Sequence, residues 1–316
     1  SEKSDVPEDM KDQIEELRMA LVEDIVETDD DLMEKYLSGE EIDGPTLAKA
    51  MKNAYAQGQL VPVCCGSAAK NIGIDLFEEL IKSIGTSPLQ RKPMSTKMAD
   101  GENDFELVME EDAPFVGFIF KAAVDPFIGK QSFVKVLAGE ISNGNAIINV
   151  NKSSNEKASH IYHVTGKDQE EVEIATLGDI VSIPKLKESE VGDTLCNPSR
   201  KLMVEKPVYP EPMLTKSVHP KSKGDIDKIS NGLSKLSESD PTFTWEHDPE
   251  TNDTVISGMG TSHLNVMIER LKKLFKVDID VGQPKIPYKE TIKGNSDVEY
   301  KHKKQSGGHG QYGHVK

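Results

Sequence analysis

The chain is 316 residues long and carries 54 acidic against 38 basic side chains, a formal net charge of −16. This length predicts two or three domains with ample core, and the acidic balance argues against a protein that coats nucleic acid over its whole surface, although it permits a local basic site for RNA. No apolar run approaches the roughly 18–20 residues that span a bilayer, and three cysteines, two of them adjacent, offer no disulfide framework. We therefore expect a cytoplasmic protein without membrane contact. We also expect it to be monomeric.

The first 87 residues are predicted to contain several helices and one strand. Residues 1–50 hold 17 acidic and 5 basic side chains, which we interpret as a solvated surface. Apolar spacing, acidic helix starts and a Gly44-Pro45 dipeptide predict three helices between residues 10 and 58. The apolar run Leu60–Cys65 predicts a buried parallel strand, followed by a small-residue loop, 66–71, and another helix. Such a loop offers backbone N–H groups to a ligand at the edge of a sheet.

Residues 88–200 are predicted to be a linker followed by a β-barrel. The linker, 88–113, is polar and contains several prolines. Short alternating apolar runs fill residues 114–200, and glycines interrupt them at regular intervals. This pattern is typical of barrel strands and not of helices.

Residues 207–284 carry the predicted order β-α-β-β-α-β. Strand-like runs alternate with two apolar stripes at helical spacing, and a polar turn joins the two middle strands. The second helix is predicted to begin after Gly258 and Gly260, with Ser262 as its N-cap. This is the split order of a ferredoxin-like α+β domain.

Residues 285–316 differ in charge from the rest of the chain, because they hold 7 lysines and 3 acidic residues. They predict strands on both sides of a glycine-rich loop, Ser306–Gly313. Glycines allow a backbone to lie close to RNA, and the neighbouring lysines can neutralise phosphates.

Several stretches resemble bacterial elongation factor G, the family of translational GTPases that moves tRNA and mRNA through the ribosome. The matching stretches include GSAAKN at 66–71, VGDTLC at 191–196, SDPTF at 239–243, ETNDTVISGMG at 250–260, RLKKLFKVD at 270–278 and QSGGHGQYGHV at 305–315. The chain departs from the family at Thr261, Ser262 and Asn265, where acidic or apolar residues are usual. It also has His309 in place of an arginine, which removes a permanent charge and a bidentate donor.

The resemblance implies a multidomain α/β and β architecture. Residues 1–87 would be the C-terminal end of a P-loop GTPase domain with a helical insert, and 88–113 a linker. Residues 114–200 would form the translation-factor β-barrel and 207–284 the ferredoxin-like domain. Residues 285–316 would be the start of a fourth, truncated domain.

The resemblance also implies two kinds of binding residues. The loop Gly66, Ser67 and Ala68 would contact the edge of a guanine base, with the N–H of Ala68 facing its O6 atom. Contacts with ribosomal RNA, and with tRNA and mRNA at the decoding centre, would come from Gly258, Gly260, Lys303, Lys304, Gly307, Gly308, His309, Gly310 and Gln311. The nearby His302 and His314 have no cysteine or carboxylate cluster to complete a zinc site with His309, so no metal is expected.

The sequence contains neither the phosphate-loop pattern G-x-x-x-x-G-K-[ST] nor the pattern N-K-x-D. We therefore expect an internal piece of a longer GTPase that uses GTP, GDP and Mg²⁺, whereas the piece itself would bind no cofactor and hydrolyse no GTP. The expected enzyme is therefore the longer protein, and this piece alone is predicted to be inactive. Two alternatives remain: a non-catalytic paralogue that only docks on the ribosome, and a ribosome-protection factor of the tetracycline-resistance type.

Overall fold

The computed structural model describes residues 6–99, 103–125, 129–305 and 307–316. The chain forms two compact units, Ser1–Val208 and Tyr209–Lys316. Across the described ranges, no helix is both long enough and apolar enough to cross a membrane.

The first unit begins with helices α1 (Lys11–Val26), α2 (Asp30–Leu37), α3 (Gly44–Ala56) and α4 (Ile74–Ile84). Aspartates cap α2 and α3. Asp29 Oδ1 accepts a hydrogen bond from the Leu32 amide at 3.2 Å, and Asp43 Oδ1 accepts one from the Thr46 amide at 2.8 Å. Helices α1, α2 and α3 share a small apolar core, which contains Ile25, Val26, Leu32 and Ala50.

The predicted strand at Leu60–Cys65 is wrong. Residues 60–66 are not in a strand, and the side chains of Val61 and Val63 are 77% and 89% exposed. A buried strand requires neighbours that accept its hydrogen bonds and cover its side chains. The described residues of this unit provide no strand that pairs with 60–66.

The described strands of the first unit are, in chain order, β1 (Met94–Met98), β2 (Asp104–Leu107), β3 (Val116–Asp125), β4 (Gly129–Ala138), β5 (Ile141–Ser142), β6 (Ala146–Asn149), β7 (Ser154–Lys157), β8 (Ile161–Thr165), β9 (Asp168–Val172), β10 (Ile174–Ala175), β11 (Ile180–Pro184), β12 (Thr194–Cys196) and β13 (Leu202–Val204). Eight of them form an antiparallel sheet in the order β7-β6-β12-β3-β4-β11-β8-β9, and β5 pairs with β10.

This sheet folds back on itself around one core. Backbone hydrogen bonds from the turn after β5 reach residues beside both edge strands: the Gly144 amide donates to the Ala158 carbonyl at 2.6 Å, and the Asn143 amide to the Glu173 carbonyl at 2.9 Å. Buried side chains of most of the strands, and of residues beside them, fill the interior, namely Phe115, Ile119, Val134, Val136, Ile141, Ile147, Ala158, Ile161, Ala175, Val181, Ile183, Leu186 and Leu195.

The interval 88–113, predicted to be a linker, is part of the folded unit. Strand β1 lies between β2 and β13 in a three-stranded antiparallel sheet. Leu107 and Met109 are buried in a second core that also contains Cys196 and Leu202. The linker prediction was wrong because the strand that completes this sheet lies about 100 residues further along the chain. Residues 100–102 of the interval lie outside the described part.

The second unit has the predicted β-α-β-β-α-β order. Its elements are β14 (Leu214–Pro220), α5 (Ile226–Ser239), β15 (Thr244–Asp248), β16 (Asp253–Gly258), α6 (Thr261–Phe275) and β17 (Ile279–Gly282). The strands form an antiparallel sheet in the order β15-β16-β14-β17. The two helices and the sheet share a core that includes Leu233, Phe243, Ile256, Leu264 and Leu271.

The last residues of the chain form a hairpin of β18 (Tyr300–Gln305) and β19 (Gly310–Val315). Before it, the chain runs beside the β15–β16 turn, where the Lys285 ammonium lies 2.9 Å from Asp253 Oδ1. This ion pair lowers the pKa of Asp253, mainly through the hydrogen bond that Lys285 donates.

Candidate functional site

The loop at 66–72 is closed by its own backbone. Ser67 and Ile72 exchange two hydrogen bonds of 3.0 Å each, and Asn71 adopts a left-handed conformation at φ 51°. At Gly66, an added Cβ would lie 3.0 Å from the Ile72 carbonyl oxygen, so a side chain there would crowd the loop. Gly66 therefore allows the tight closure.

This closure leaves the amide of Ala68 available to a ligand. Ala68 is exposed, and its N–H has no acceptor among the residues that the structure describes. A free backbone donor beside small side chains can approach the carbonyl oxygen of a flat molecule. The geometry fits the predicted contact of Gly66, Ser67 and Ala68 with a guanine edge, which stays a prediction.

At the start of α6, Gly258 and Gly260 have different surroundings. A Cβ added to Gly258 would lie 2.8 Å from Leu264 Cδ2 and 2.9 Å from His263 Nδ1, so a side chain has no room there. Gly260 has an extended backbone, with φ 170°, and a Cβ added to it would meet nothing within 4 Å. Packing explains the first glycine, while nothing inside the described chain requires the second.

The predicted N-cap, Ser262, is wrong: the cap residue of α6 is Gly260, which has no side chain to accept a hydrogen bond. His263 partly replaces a cap, since its Nδ1 accepts a hydrogen bond from the Met259 amide at 3.0 Å. With Nδ1 as acceptor, Nε2 carries the proton and donates to Asp240 Oδ2 at 3.1 Å. Sequence analysis missed this pair because its members lie 23 residues apart on different elements.

Asp240 joins the end of α5 to the start of α6. Its Oδ1 also accepts hydrogen bonds from the Thr242 amide at 2.9 Å and the Thr242 hydroxyl at 2.7 Å. Partial burial acts to raise the pKa of Asp240, but the hydrogen bonds from Thr242 and His263 outweigh it and hold that pKa below its usual value. The carboxylate thus fixes the entry to α6.

The hairpin β18–β19 carries most of the other predicted contact residues on one exposed element. All described side chains of both strands are exposed. Lys303 pairs across the hairpin with Tyr312, and Lys304 with Gln311. Because successive side chains of a strand point to opposite faces, Lys303 and Lys304 lie on different faces of the hairpin.

The connection between the two strands holds the remaining predicted residues. Gly307 is in the left-handed region at φ 88°, which favours glycine, whereas Gly308 has no such requirement and no atom within 4 Å of an added Cβ. His309 is exposed, and Gly310 begins β19. Ser306 lies outside the described residues.

The lysines of the hairpin differ in their partners. Lys301 lies 3.1 Å from Glu299 Oε1, and His314 contacts the same carboxylate. Neither Lys303 nor Lys304 forms an ion pair within the described ranges. Within the same ranges, no three His, Cys, Asp or Glu side chains lie close enough together to hold a metal ion, so His302, His309 and His314 do not form such a group.

The loop at 66–68, the start of α6 and the hairpin β18–β19 each carry a glycine or a free hydrogen-bond donor that a partner could contact. The loop at 66–68 belongs to the first unit, while the start of α6 and the hairpin belong to the second. The second unit thus offers bare backbone at Gly260 and Gly308 and uncompensated cations at Lys303 and Lys304. This chemistry suits contact with phosphates and closely approaching backbones.

Comparison with known proteins points to one family. Family models match three consecutive ranges: "Elongation factor G domain 2" over 114–198, "Elongation Factor G, domain III" over 209–283 and "Elongation factor G, domain IV" over 284–316. A crystal structure of a protein from Thermus thermophilus superimposes with a TM-score of 0.74 at 33% identity, covering 99% of this chain and 45% of that one.

Curated relatives give the same result. The chain is 51% identical over 309 residues to an "Elongation factor G-like protein" of Thermotoga maritima, which covers 98% of this chain and 45% of the relative. It is 39% identical over 316 residues to "Elongation factor G" of Mycoplasma pneumoniae, covering 100% of this chain and 46% of the relative. It thus spans about half the length of the curated relatives that it matches. The chain belongs to the elongation factor G family.

Proposed function

We propose that the chain works within a longer cytoplasmic translation factor, which couples GTP hydrolysis to the movement of tRNA and mRNA through the ribosome. The observation that carries this proposal is the hairpin β18–β19, an exposed element with an unpaired lysine on each face. Membership of the elongation factor G family supports the same assignment.

The hairpin is suited to insertion between RNA backbones. Lysines on both faces can neutralise phosphates on two sides at once, and each such contact releases counterions. Phosphate contacts of this kind fix position without selecting sequence, which suits a factor that acts on every codon. Gly308 adds a point where the backbone itself can touch RNA, because no side chain intervenes.

The nucleotide would be held only in part by this chain. The exposed amide of Ala68 would donate to the carbonyl oxygen of a guanine, and Gly66 and Ser67 would leave room for the ring. When bound, GTP supplies the free energy of phosphoryl transfer, which Mg²⁺ assists. The residues of this chain contribute recognition of the base.

The test uses the full-length protein with a Lys303→Gln, Lys304→Gln double substitution. Translocation of tRNA and mRNA, followed by toeprinting, is expected to slow about tenfold or more, because two phosphate contacts are lost. Ribosome-stimulated GTP hydrolysis is expected to stay nearly unchanged, since the guanine loop is intact.

A Lys272→Gln, Lys293→Gln protein is the matched control, because it removes the same charge at two other exposed positions of the second unit. Equal translocation rates in the two double variants would contradict the role of the hairpin. Loss of GTP hydrolysis in the Lys303, Lys304 variant would indicate that the hairpin acts in docking instead.

A second candidate function is a paralogue that binds the ribosome without driving translocation. The observation that favours it is the 51% identity to a relative named only "elongation factor G-like", against 39% to relatives named elongation factor G. The departures at Thr261, Ser262, Asn265 and His309 agree with it. Growth of a strain depleted of its own elongation factor G distinguishes the two: rescue by the full-length protein supports translocation, and failure at normal expression supports docking alone.

A further inference from the structure

A cavity of about 380 Å³ lies in the first unit, and none of the predicted site residues lines it. Its walls are the turn 86–92, the stretch 135–137 of β4 and the turn at Leu177 and Gly178, with Ala56 of α3 and Met109 completing the lining. This volume falls within the range of about 300–1,000 Å³ that is typical of small-molecule sites.

All charged side chains that line the cavity are cationic: Arg91, Lys92 and Lys135. Although the chain has 54 acidic residues, none of them lines the cavity in the part that the structure describes. Asp179, beside the turn, directs its Oδ2 to the Thr176 amide at 2.8 Å. Because three neighbouring positive charges repel one another, an anion in the cavity would lower the electrostatic energy.

The rest of the lining is apolar on one side and hydrogen-bonding on the other. Met109, Leu137 and Leu177 supply an apolar floor, and Thr86, Ser87 and Gln90 supply hydroxyl and amide groups. A few polar groups around an apolar surface are typical of sites that orient a small organic ligand. The cavity therefore suits a molecule with an anionic end and an apolar or planar body.

The walls are held in place before any ligand binds. The Ser87 amide donates to Gln90 Oε1 at 3.1 Å, and the Leu89 amide donates to Ser87 Oγ at 3.3 Å, which fixes the turn. Pro88 packs so closely on Gly178 that a Cβ added there would lie 2.6 Å from the proline Cγ. Gly178 in turn donates to the Val136 carbonyl at 2.9 Å. A preformed site loses little conformational entropy on binding.

We propose that this cavity binds a small organic anion, in which a phosphate or carboxylate group is joined to an apolar or planar body. Arg91 and Lys135 hold the anionic group, and the side chain of Leu177 contacts the body. The site shares no residue with the guanine loop or the hairpin, so it adds a ligand to the function proposed above and does not depend on it.

The test is calorimetric titration of the 316-residue chain with phenyl phosphate, which combines both ligand features, and with inorganic phosphate and phenol, which carry one each. We expect saturable binding of phenyl phosphate and at least about tenfold weaker binding of the other two. Arg91→Gln with Lys135→Gln is expected to weaken phenyl phosphate binding about tenfold or more, because the charge-assisted contacts are lost.

The matched control is Lys157→Gln with Lys167→Gln, which removes two exposed lysines of the same barrel that do not line the cavity. This control is expected to bind phenyl phosphate as the unsubstituted chain does. Equal weakening in both double variants would overturn the proposal, as would the absence of saturable binding in the unsubstituted chain. Binding of a short RNA through Arg91 and Lys135 without binding of phenyl phosphate would also overturn it, in favour of an RNA contact. Circular dichroism of each variant establishes that it is folded.

Discussion

Two glycines just before α6 differ in what requires them. Packing requires the first, whereas no contact within the described chain requires the second. Gly258 lies against Leu264 and His263, where a methyl group would be 2.8–2.9 Å from both. Gly260 has space around it and an extended backbone that any residue can adopt. A methyl group at Gly260 would therefore clash with no described residue of this chain, and only a bound partner could be affected by it.

Alanine substitutions separate these two roles. Gly258→Ala is expected to lower the free energy of unfolding by about 1–3 kcal/mol, as overpacking does, whereas Gly260→Ala is expected to change it by less than about 0.5 kcal/mol. Urea unfolding followed by fluorescence measures both, because Trp245 is the only tryptophan and lies in the same unit. A Gly260→Ala protein as unstable as Gly258→Ala would show that Gly260 has an internal role.

The carboxylate of Asp240 makes the second unit sensitive to acid. Because hydrogen bonds from Thr242 and His263 lower its pKa in the folded state, ionised Asp240 stabilises the fold above the ordinary aspartate pKa of about 3.9. This stabilisation is lost as the pH falls below about 4, through the lowered pKa. Asp240→Asn is thus expected to reduce stability at pH 7 and to have a smaller effect near pH 3.

Urea unfolding of Trp245 at several pH values measures this difference. Asp297→Asn serves as the control, since Asp297 is exposed and forms no hydrogen bond or ion pair within the described ranges. A destabilisation by Asp240→Asn that is the same at pH 3 and pH 7 would contradict the role of the ionised carboxylate.

At the scale of elements, the three-stranded sheet β13-β1-β2 makes the interval 88–113 part of the folded first unit. It shares a core with strands of the barrel, in which Leu107 has no exposed surface and Cys196 is buried. Thr96 Oγ1 donates to the Phe105 carbonyl at 2.7 Å and so joins β1 to β2. Residues that precede the barrel in the chain therefore contribute to the stability of the first unit.

Leu107→Ala tests whether the sheet is integral. The substitution is expected to lower the free energy of unfolding of the first unit by about 2–5 kcal/mol, because it leaves a cavity. Val108→Ala is the matched control, since the next side chain is 43% exposed and its truncation is expected to cost less than about 0.5 kcal/mol. Far-ultraviolet circular dichroism in urea measures the loss, while the Trp245 transition should not move. Equal midpoints for the two variants would mean that 88–113 is a linker after all.

Elements governed by local signals were predictable, and those that depend on distant partners were not. The β-α-β-β-α-β order follows from apolar spacing and turn residues within one stretch of the chain, and so does the hairpin around Gly307. The pairing of β1 with β13 depends on residues far apart in sequence, as does the contact between His263 and Asp240. The strand predicted at Leu60–Cys65 was wrong for the opposite reason. The local apolar pattern was present, but no described strand of the first unit lies beside it to form a sheet.

At the scale of the whole molecule, the two units have separate cores. The chain between them, 205–211, is exposed throughout. Each unit also contains a natural reporter of its own unfolding, since Trp245 belongs to the second and Cys196 to the first. Burial raises the pKa of the Cys196 thiol to about 11, so this thiol is unreactive while the first unit is folded.

Thiol labelling in urea is therefore expected to resolve the units. Cys64 and Cys65 are exposed and should react at once with a thiol reagent, whereas Cys196 should react only when the first unit unfolds. We expect the urea midpoint for Cys196 to differ from that for Trp245 fluorescence. Coincident midpoints that shift together in Leu107→Ala would indicate that the units unfold as one.

The exposure of every described side chain in β18 and β19 has a consequence for measurement. A two-stranded hairpin without a covering layer is marginally stable in water, so its amide hydrogens should exchange with deuterium rapidly, while those of β14 and β16 are protected by the core of the second unit. The RNA contact proposed above would slow exchange in residues 300–315 from this fast starting rate. The hairpin would then report its own occupancy with almost no background signal, without any label added to the protein.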